Sequence, residues 1–527
     1  MAEKPKGWTL WSRSGYRGPS DLNPDSRSRT DTAASPATGV ATAPARDGTV
    51  ADDSTAAGDS ALAGDSALAG DGTLDGDGRP VEGDGRPIDG DGRPIEPVSP
   101  APPGRRATTV ARTAGALIDQ IIDARSVHIE FQPIHETESG QIVGFEALAR
   151  GPQGPLHTPG PLFGAARAAG RLGELDWACR AAAFRAMMDA GLPPSVSLLV
   201  NAEADSLIEP CPPDLLPTIL EAERRLRVYV ELTGRAISRY PCHALETARR
   251  ARAAEWGVVI NDIEFSAGGL ALLPTLEPDV VKLNHSLIAS GLTQAGGALV
   301  AALGESERTG AALLLERVEN PDAAMIARAA GARYQQGHLL GRPGPLPARV
   351  PHPVTPLPLL HETVDPAAAT PWSLLRDGGA HVTDDVSQAA LDHLVLAAAG
   401  QAAAGDRPPV VAVVVPAGDV DPARQAMFAM LLERCPLIVI LGHNVAGWSD
   451  WRVRAADLPV GHTLADEMCF VLLGPGTAMA VAARRHPVHG PAPMWNLTVS
   501  QQPMLSRAVM RHLLGTVDQL EGGVHSL

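Results

Sequence analysis

Eight short apolar runs, separated by helix-like stretches, constrain this chain more than any other feature. They are VHIEFQPI, QIVGFEALAR, SVSLLVNA, RVYVELT, GVVIND, DVVKLN, ALLLER and RYQQGHLL, in that order between residues 127 and 340. Between them lie stretches of helical periodicity such as FGAARAAGRLGELDWACRAAAFRAMMDA and HALETARRARAAE. Strand followed by helix, sustained over about 230 residues, predicts an α/β fold of the TIM-like (β/α)8 barrel type. A doubly wound open sheet is the alternative, but no Gly-rich dinucleotide turn follows any of the strands.

The flanking sequence has a different texture. Residues 17–130 contain no Phe, Trp or Tyr, and they carry GDSALA twice and then GDGRPVE, GDGRPID and GDGRPIE. Calcium-binding rolls repeat every nine residues and bury an apolar residue per turn. These units repeat every six or seven and have little to bury, so residues 1–107 are expected to form a disordered low-complexity tail. The barrel is expected over 108–347. Residues 348–371, within LPARVPHPVTPLPLLHETVDPAAATP, read as a Pro-rich linker. A second, smaller α/β domain is expected over 372–520, built on VVAVVV, PLIVIL and CFVLLG.

Composition narrows the function. A net charge of −16 argues against nonspecific nucleic-acid binding. No apolar run is long enough to span a membrane, and MAEKPKGWTLWSRSG has no apolar signal core. Five scattered cysteines without CxxC spacing read as reduced thiols of a cytoplasmic protein, not as a zinc site.

Polar residues gather at the ends of the barrel strands: Glu146, Asn201, Glu231, Asn261 with Asp262, Lys282, Glu316 and Gln336. In such a barrel these positions converge on one face, where active sites lie. Any one of them alone is an ordinary strand-end polar residue; the series on successive strands predicts a common site. Oxygen donors with one lysine suit Mg2+ or Mn2+ and a phosphate-containing substrate.

Over about residues 108–347 the chain resembles EAL domains, the phosphodiesterases that hydrolyse cyclic di-GMP to pGpG. The resemblance rests on FEALARG with Glu146, Leu148 and Arg150, on VNA with Asn201, and on VELT with Glu231. It continues through DVVKLN with Lys282, ERVE with Glu316 and Glu319, and QQGHLLGRP with Gln336. It implies a site for two Mg2+ or Mn2+ ions, with Glu146, Asn201 and Glu231 on the first and Asn261 and Asp262 at the second. Lys282 and Glu316 would orient or deprotonate the attacking water. Arg150 would grip a phosphate, Asp176 would meet a guanine base, and Leu148, Glu319 and Gln336 would complete the substrate site. Trp177 beside Asp176 reads as core.

The sequence also departs from that pattern. Where active members have Asp-Asp-Phe-Gly, this chain has Asn261-Asp262-Ile263-Glu264, and the loop continues Phe265-Ser266-Ala267-Gly268 instead of Thr-Gly. An amide bridges two cations poorly because it brings no charge. The carboxylate that holds the loop in the family is Gly234 here, and the Asp after the lysine strand is Asn284. Glu264 could reach the site only if the loop is rebuilt. A weak or degenerate phosphodiesterase controlled by a C-terminal sensor is the expectation; a non-catalytic cyclic di-GMP receptor and an interaction scaffold are the alternatives. Residues 457–485 and 495–514 resemble the DICT sensory domain of actinobacterial proteins, with Glu467-Met468 in place of a Glu-Trp pair. His443, His462 and His486 read as surface or capping residues, and Trp448 and Trp451 as a loop anchored on the core. The resemblance further implies a possible homodimer through the barrel and a downstream protein partner of unknown identity.

Overall fold

All eight apolar runs form strands: β1 (His128–Glu136), β2 (Ile142–Arg150), β3 (Ser197–Asn201), β4 (Arg227–Thr233), β5 (Gly257–Asn261), β6 (Val280–Asn284), β7 (Ala312–Glu316) and β8 (Tyr334–Gln335). The computed structural model describes residues 115–203, 209–263, 267–284, 293–360, 369–405, 407–415, 422–447, 450–486 and 494–524. The tail expected over 1–107, Glu264 and Trp448 lie outside these residues. The strands close a barrel in the order β1 to β8. Strands β2 to β8 run parallel, whereas β1 is antiparallel to both β2 and β8. The reason is local: only a five-residue turn joins β1 to β2, and a parallel pair needs a crossover of a dozen residues or more.

The alternation of side chains along a strand then builds the interior in two layers. At the lower level Leu199, Tyr229, Val259, Val280, Leu314 and Tyr334 form one buried apolar cluster with Ile134 and Val143. Two residues further along each strand, on the same inward face, stand Asn201, Glu231, Asn261, Lys282, Glu316 and Gln336. The helices α1 (115–123), α2 (Pro159–Ala168), α3 (Leu172–Asp189), α4 (Leu216–Arg225), α5 (Gly234–Arg239), α6 (Pro241–Ala253), α7 (Ala267–Leu276), α8 (Thr293–Thr309) and α9 (Pro321–Ala329) cover the outside. Trp177 on α3 is buried, as expected, and its indole donates to the carbonyl of Glu209 at 3.0 Å.

Part of the Pro-rich segment is packed on the barrel. Residues 350–360 lie across the lower mouth of the barrel, where Leu357 is fully buried in the lower apolar layer. The Tyr229 hydroxyl donates to the carbonyls of Leu357 (2.8 Å) and Pro358 (3.0 Å), and the Tyr334 hydroxyl donates to that of Pro356 (3.1 Å). The Leu360 amide donates to Asp279 Oδ1 at 2.5 Å. Proline leaves carbonyls without competing amide donors, and two buried tyrosines use them.

The second part is a seven-stranded sheet, β9 (Val382–Ser387), β10 (Val410–Val414), β11 (Ile438–Gly442), β12 (Val453–Asp457), β13 (Glu467–Gly474), β14 (Thr477–Arg485) and β15 (Met494–Ser500), in the order β12-β11-β10-β13-β14-β15-β9. Strands β10, β11 and β12 are parallel and the rest pair antiparallel. Its helices are α10 (Pro371–Asp377), α11 (Gln388–Ala404), α12 (Pro422–Arg434) and α13 (Pro503–Val524). Continuous apolar strands such as VVAVV are those of a sheet covered on both faces. Val411 and Val413 pack with Leu391 and Val395 of α11 and Phe428 of α12. Val410, Ala412 and Val414 point the other way and join the apolar cluster that runs through the outer layer of the barrel. Of the residues singled out here, His462 caps a short helical turn and Trp451 is exposed. No helix among the described residues is long and apolar enough to cross a membrane.

Candidate functional site

Lys282 is the centre of the upper layer. It is completely buried in the middle of β6, and its ammonium donates to Glu146 Oε2 at 3.0 Å and to both oxygens of Glu231 at 3.0 Å. Glu316 Oε2 lies 3.6 Å from it. Three carboxylates therefore face one cation in an enclosed space, and the field of the site is negative. Burial works against the charged form of Lys282, but Glu146, Glu231 and Glu316 outweigh it and raise its pKa. Burial also opposes the charge of Glu146, yet Lys282 and the amides of Gln336 and Asn201 hold it below its ordinary value. Glu231 has the same ammonium to share, and burial together with Glu146 pushes it up to about 7. Glu316 is raised by burial.

The neutral donors complete the frame. Gln336 donates to Glu146 Oε2 at 2.7 Å, and Asn201 donates to Glu146 Oε1 at 3.4 Å. Asn261 is fixed at both ends: its oxygen accepts from the backbone amide of Asp262, and its Nδ2 donates to Glu231 Oε1, each at 2.7 Å. The amide group is thus turned with its donor side toward a carboxylate. Asp262 stands in the left-handed region at φ 49°, and Ile263 behind it is fully buried. A Cβ on Gly234 would come within 2.5 Å of the Asp262 carbonyl and 2.8 Å of Ile263 Cα. The backbone has closed into the space that a side chain at 234 would need.

Glu146 and Glu231 supply two carboxylates on neighbouring elements of a negative site, and Asn201, whose amide donates to Glu146 only at 3.4 Å, would complete a set for one divalent ion by turning its oxygen inward. The fit of a second ion is poorer, because Asn261 turns a donor toward Glu231 and leaves Asp262 and Glu316 as the acidic groups. Among the described residues no three acidic, His or Cys side chains are already grouped as a metal cage.

The site opens into a cleft of two joined cavities, about 440 Å3 and about 240 Å3. Both are lined by Glu146, Leu148, Asn261 and Asp262. The larger extends to Phe163, Arg167, Asp176 and Arg180; the smaller to Glu316, Arg317, Glu319, Gln336 and His338. Two expected residues are differently engaged. Arg150 pairs with Glu130 of the neighbouring β1 at 2.8 Å and donates to the Ala149 carbonyl. Asp176 is buried against Arg180 at 2.8 Å, and that guanidinium lies 3.8 Å from the centre of the Trp177 ring. Glu319 is half exposed beside His338. Asn284 is buried at the end of β6. Arg180 and Arg167 were not anticipated; the Asp176-x-x-x-Arg180 spacing on α3 was the available signal for the first.

Comparison with known proteins bears on the barrel. The chain is 31% identical over 238 residues to "Uncharacterized protein y4lL" of Sinorhizobium fredii, covering 42% of this chain and 27% of that protein. It is 25% identical over 256 residues to an "Uncharacterized signaling protein" of Caulobacter vibrioides, covering 47% and 30%. The chain thus spans about a third or less of these curated relatives. Similar solved structures include the FimX EAL domain of Xanthomonas citri in complex with c-diGMP, with 17% identity, 46% of this chain, 98% of that chain and a TM-score of 0.40. Another is the manganese/cy-diGMP complex of BlrP1 from Klebsiella pneumoniae, with 26% identity, 42% and 56% coverage and a TM-score of 0.36. The family model described as the EAL domain matches residues 115–343, and this part of the chain is an EAL domain.

Proposed function

We propose that the barrel binds cyclic di-GMP across the two-lobed cleft and hydrolyses it to pGpG weakly, as a cytoplasmic signalling protein. Its C-terminal sheet domain, which resembles the DICT type, would supply the input. The observation that carries this reading is the bonding of Asn261. Its amide satisfies Glu231 and the Asp262 backbone together, so the stretch is stable in a form that offers the second ion no shared carboxylate. The first-ion set of Glu146, Asn201 and Glu231 is intact, which favours binding over turnover.

Held by Glu146, Asn201 and Glu231, Mg2+ or Mn2+ would supply Lewis-acid activation of water at neutral pH and neutralise charge on the phosphate. Lys282 keeps its proton and holds Glu146 and Glu231 in place. Glu316, raised by burial, is the group able to accept a proton from water. Leu148, which lines both lobes, would lie between the two bases, with Asp176 and Arg180 beside one and Glu319 and Gln336 beside the other. Arg150 reaches a phosphate only by leaving Glu130. A homodimer through the barrel would use a face other than the outer side of α7, which the C-terminal sheet covers.

Turnover of cyclic di-GMP with Mn2+, compared between the unaltered chain and Asn261→Asp, tests the reading beside calorimetric binding with Ca2+. Binding by both, slow pGpG formation by the unaltered chain and an increase of about tenfold or more in the variant are expected. Absence of binding by the unaltered chain under both conditions overturns it.

A further inference from the structure

The helix that follows the Asn261–Asp262 stretch is shared between the barrel and the C-terminal domain. Helix α7, AGGLALLPTL, contains two glycines and an internal proline. Such a sequence has little helix propensity of its own, so tertiary contacts fix where it sits. Leu272, Leu273 and Leu276 are fully buried. The helix packs on α5, α6 and α8 of the barrel and on β10, β13 and α13 of the C-terminal domain. At its start, a Cβ on Gly268 would lie 3.6 Å from Pro436, just before β11.

Two arginines of α13 grip the other end. Arg511 donates to Glu277 Oε1 through Nη2 (2.7 Å) and Nε (3.1 Å), and Glu277 directly follows α7 at φ 50°. Arg507, one turn earlier, is buried, and its Nη2 donates to both oxygens of Glu305 on α8 at 2.8 and 2.9 Å. Glu305 is fully buried and also accepts from Arg308 at 3.0 Å. From the barrel side, Arg252 of α6 donates to the carbonyls of Leu276 and Glu277. Replacing a buried ion pair by matched apolar groups is often neutral or stabilising, so such a pair is better suited to fixing register than to adding stability.

We infer that Arg507 and Arg511 are positioning residues: through Glu305 and Glu277 they set α7, and through α7 the backbone of Asn261–Asp262 in the cleft. The C-terminal domain thereby reaches the nucleotide site without touching the nucleotide. This inference rests on the proposed cyclic di-GMP function for its ligand, and on the packing alone for its route.

The test uses the full chain with Arg511→Met, which is partly exposed, and the neutral pair Glu305→Gln with Arg507→Met. Amide hydrogen exchange over 257–276 is expected to accelerate about five- to tenfold in the folded variants, with β1 to β3 unchanged, and cyclic di-GMP affinity with Ca2+ to change by a similar factor. Coupling is reciprocal, so in the unaltered chain cyclic di-GMP with Ca2+ should alter exchange in α13. Unchanged exchange over 257–276 in Arg511→Met overturns the inference. An increase spread evenly over the barrel does so too, since it marks a merely structural role. If the unaltered chain binds no cyclic di-GMP, the proposed function fails, while the exchange pattern of the variants still decides the route.

Discussion

Asn261 and Gly234 are two departures that make one arrangement. The amide at 261 replaces a charge by a donor and bonds Glu231, and the missing side chain at 234 lets residues 262 and 263 move in. Restoring a side chain at 234 therefore sets the repair against the packing. Gly234→Ala is expected to destabilise the chain by about 1–3 kcal/mol, because the new Cβ has backbone, not a flexible side chain, in its way. Urea unfolding measures it, and an unchanged midpoint would show that the 262–263 backbone yields freely. At this scale the strand pattern sufficed to put Asn201, Glu231, Asn261, Lys282, Glu316 and Gln336 on one inward face of the barrel. It did not disclose their bonding. That Asn261 would turn its nitrogen to Glu231, or that Asp176 would be taken up by Arg180, depends on distances between strands and helices that no spacing encodes.

Whole elements were legible where their pattern was long and repeated. Eight strands and their inward polar ends followed from alternation, and the antiparallel β1 follows from the short turn after it. The Pro-rich segment was not legible, because proline abundance describes a free linker and a bound strap equally well. What makes it a strap is the pair of tyrosines at the bottom of β4 and β8, more than 20 residues away in sequence. Leu357→Ala should cost about 2–5 kcal/mol, as for a core leucine, although its neighbours are prolines. A loss under about 0.5 kcal/mol in chemical denaturation would return the segment to the status of a linker.

For the molecule as a whole, the shared apolar cluster is the consequential feature. Alternate residues of β10 and β13 join the apolar cluster of the outer barrel layer, so the two parts share one cluster besides the separate ones inside the barrel and on the far face of the sheet. The shared cluster predicts one cooperative thermal transition instead of two. Glu467 makes that coupling measurable by pH. It is fully buried at the start of β13, where one oxygen accepts from the Trp372 amide at 3.1 Å and the other has no partner. Burial raises its pKa above the ordinary value of 4.5, despite the opposing effects of Thr370, Trp372 and Arg484. The folded chain then holds this proton more tightly than the unfolded chain. The contribution to stability is complete below about pH 4.5 and is lost as pH rises through the folded pKa. Glu467→Gln removes the titration while keeping an acceptor for Trp372. Calorimetry at pH 5 and pH 8 should show the unaltered chain losing more stability between the two than the variant, with the barrel moving in the same single transition. A separate early transition for the C-terminal part, shifting alone with pH, would show that the two parts melt independently despite their common core.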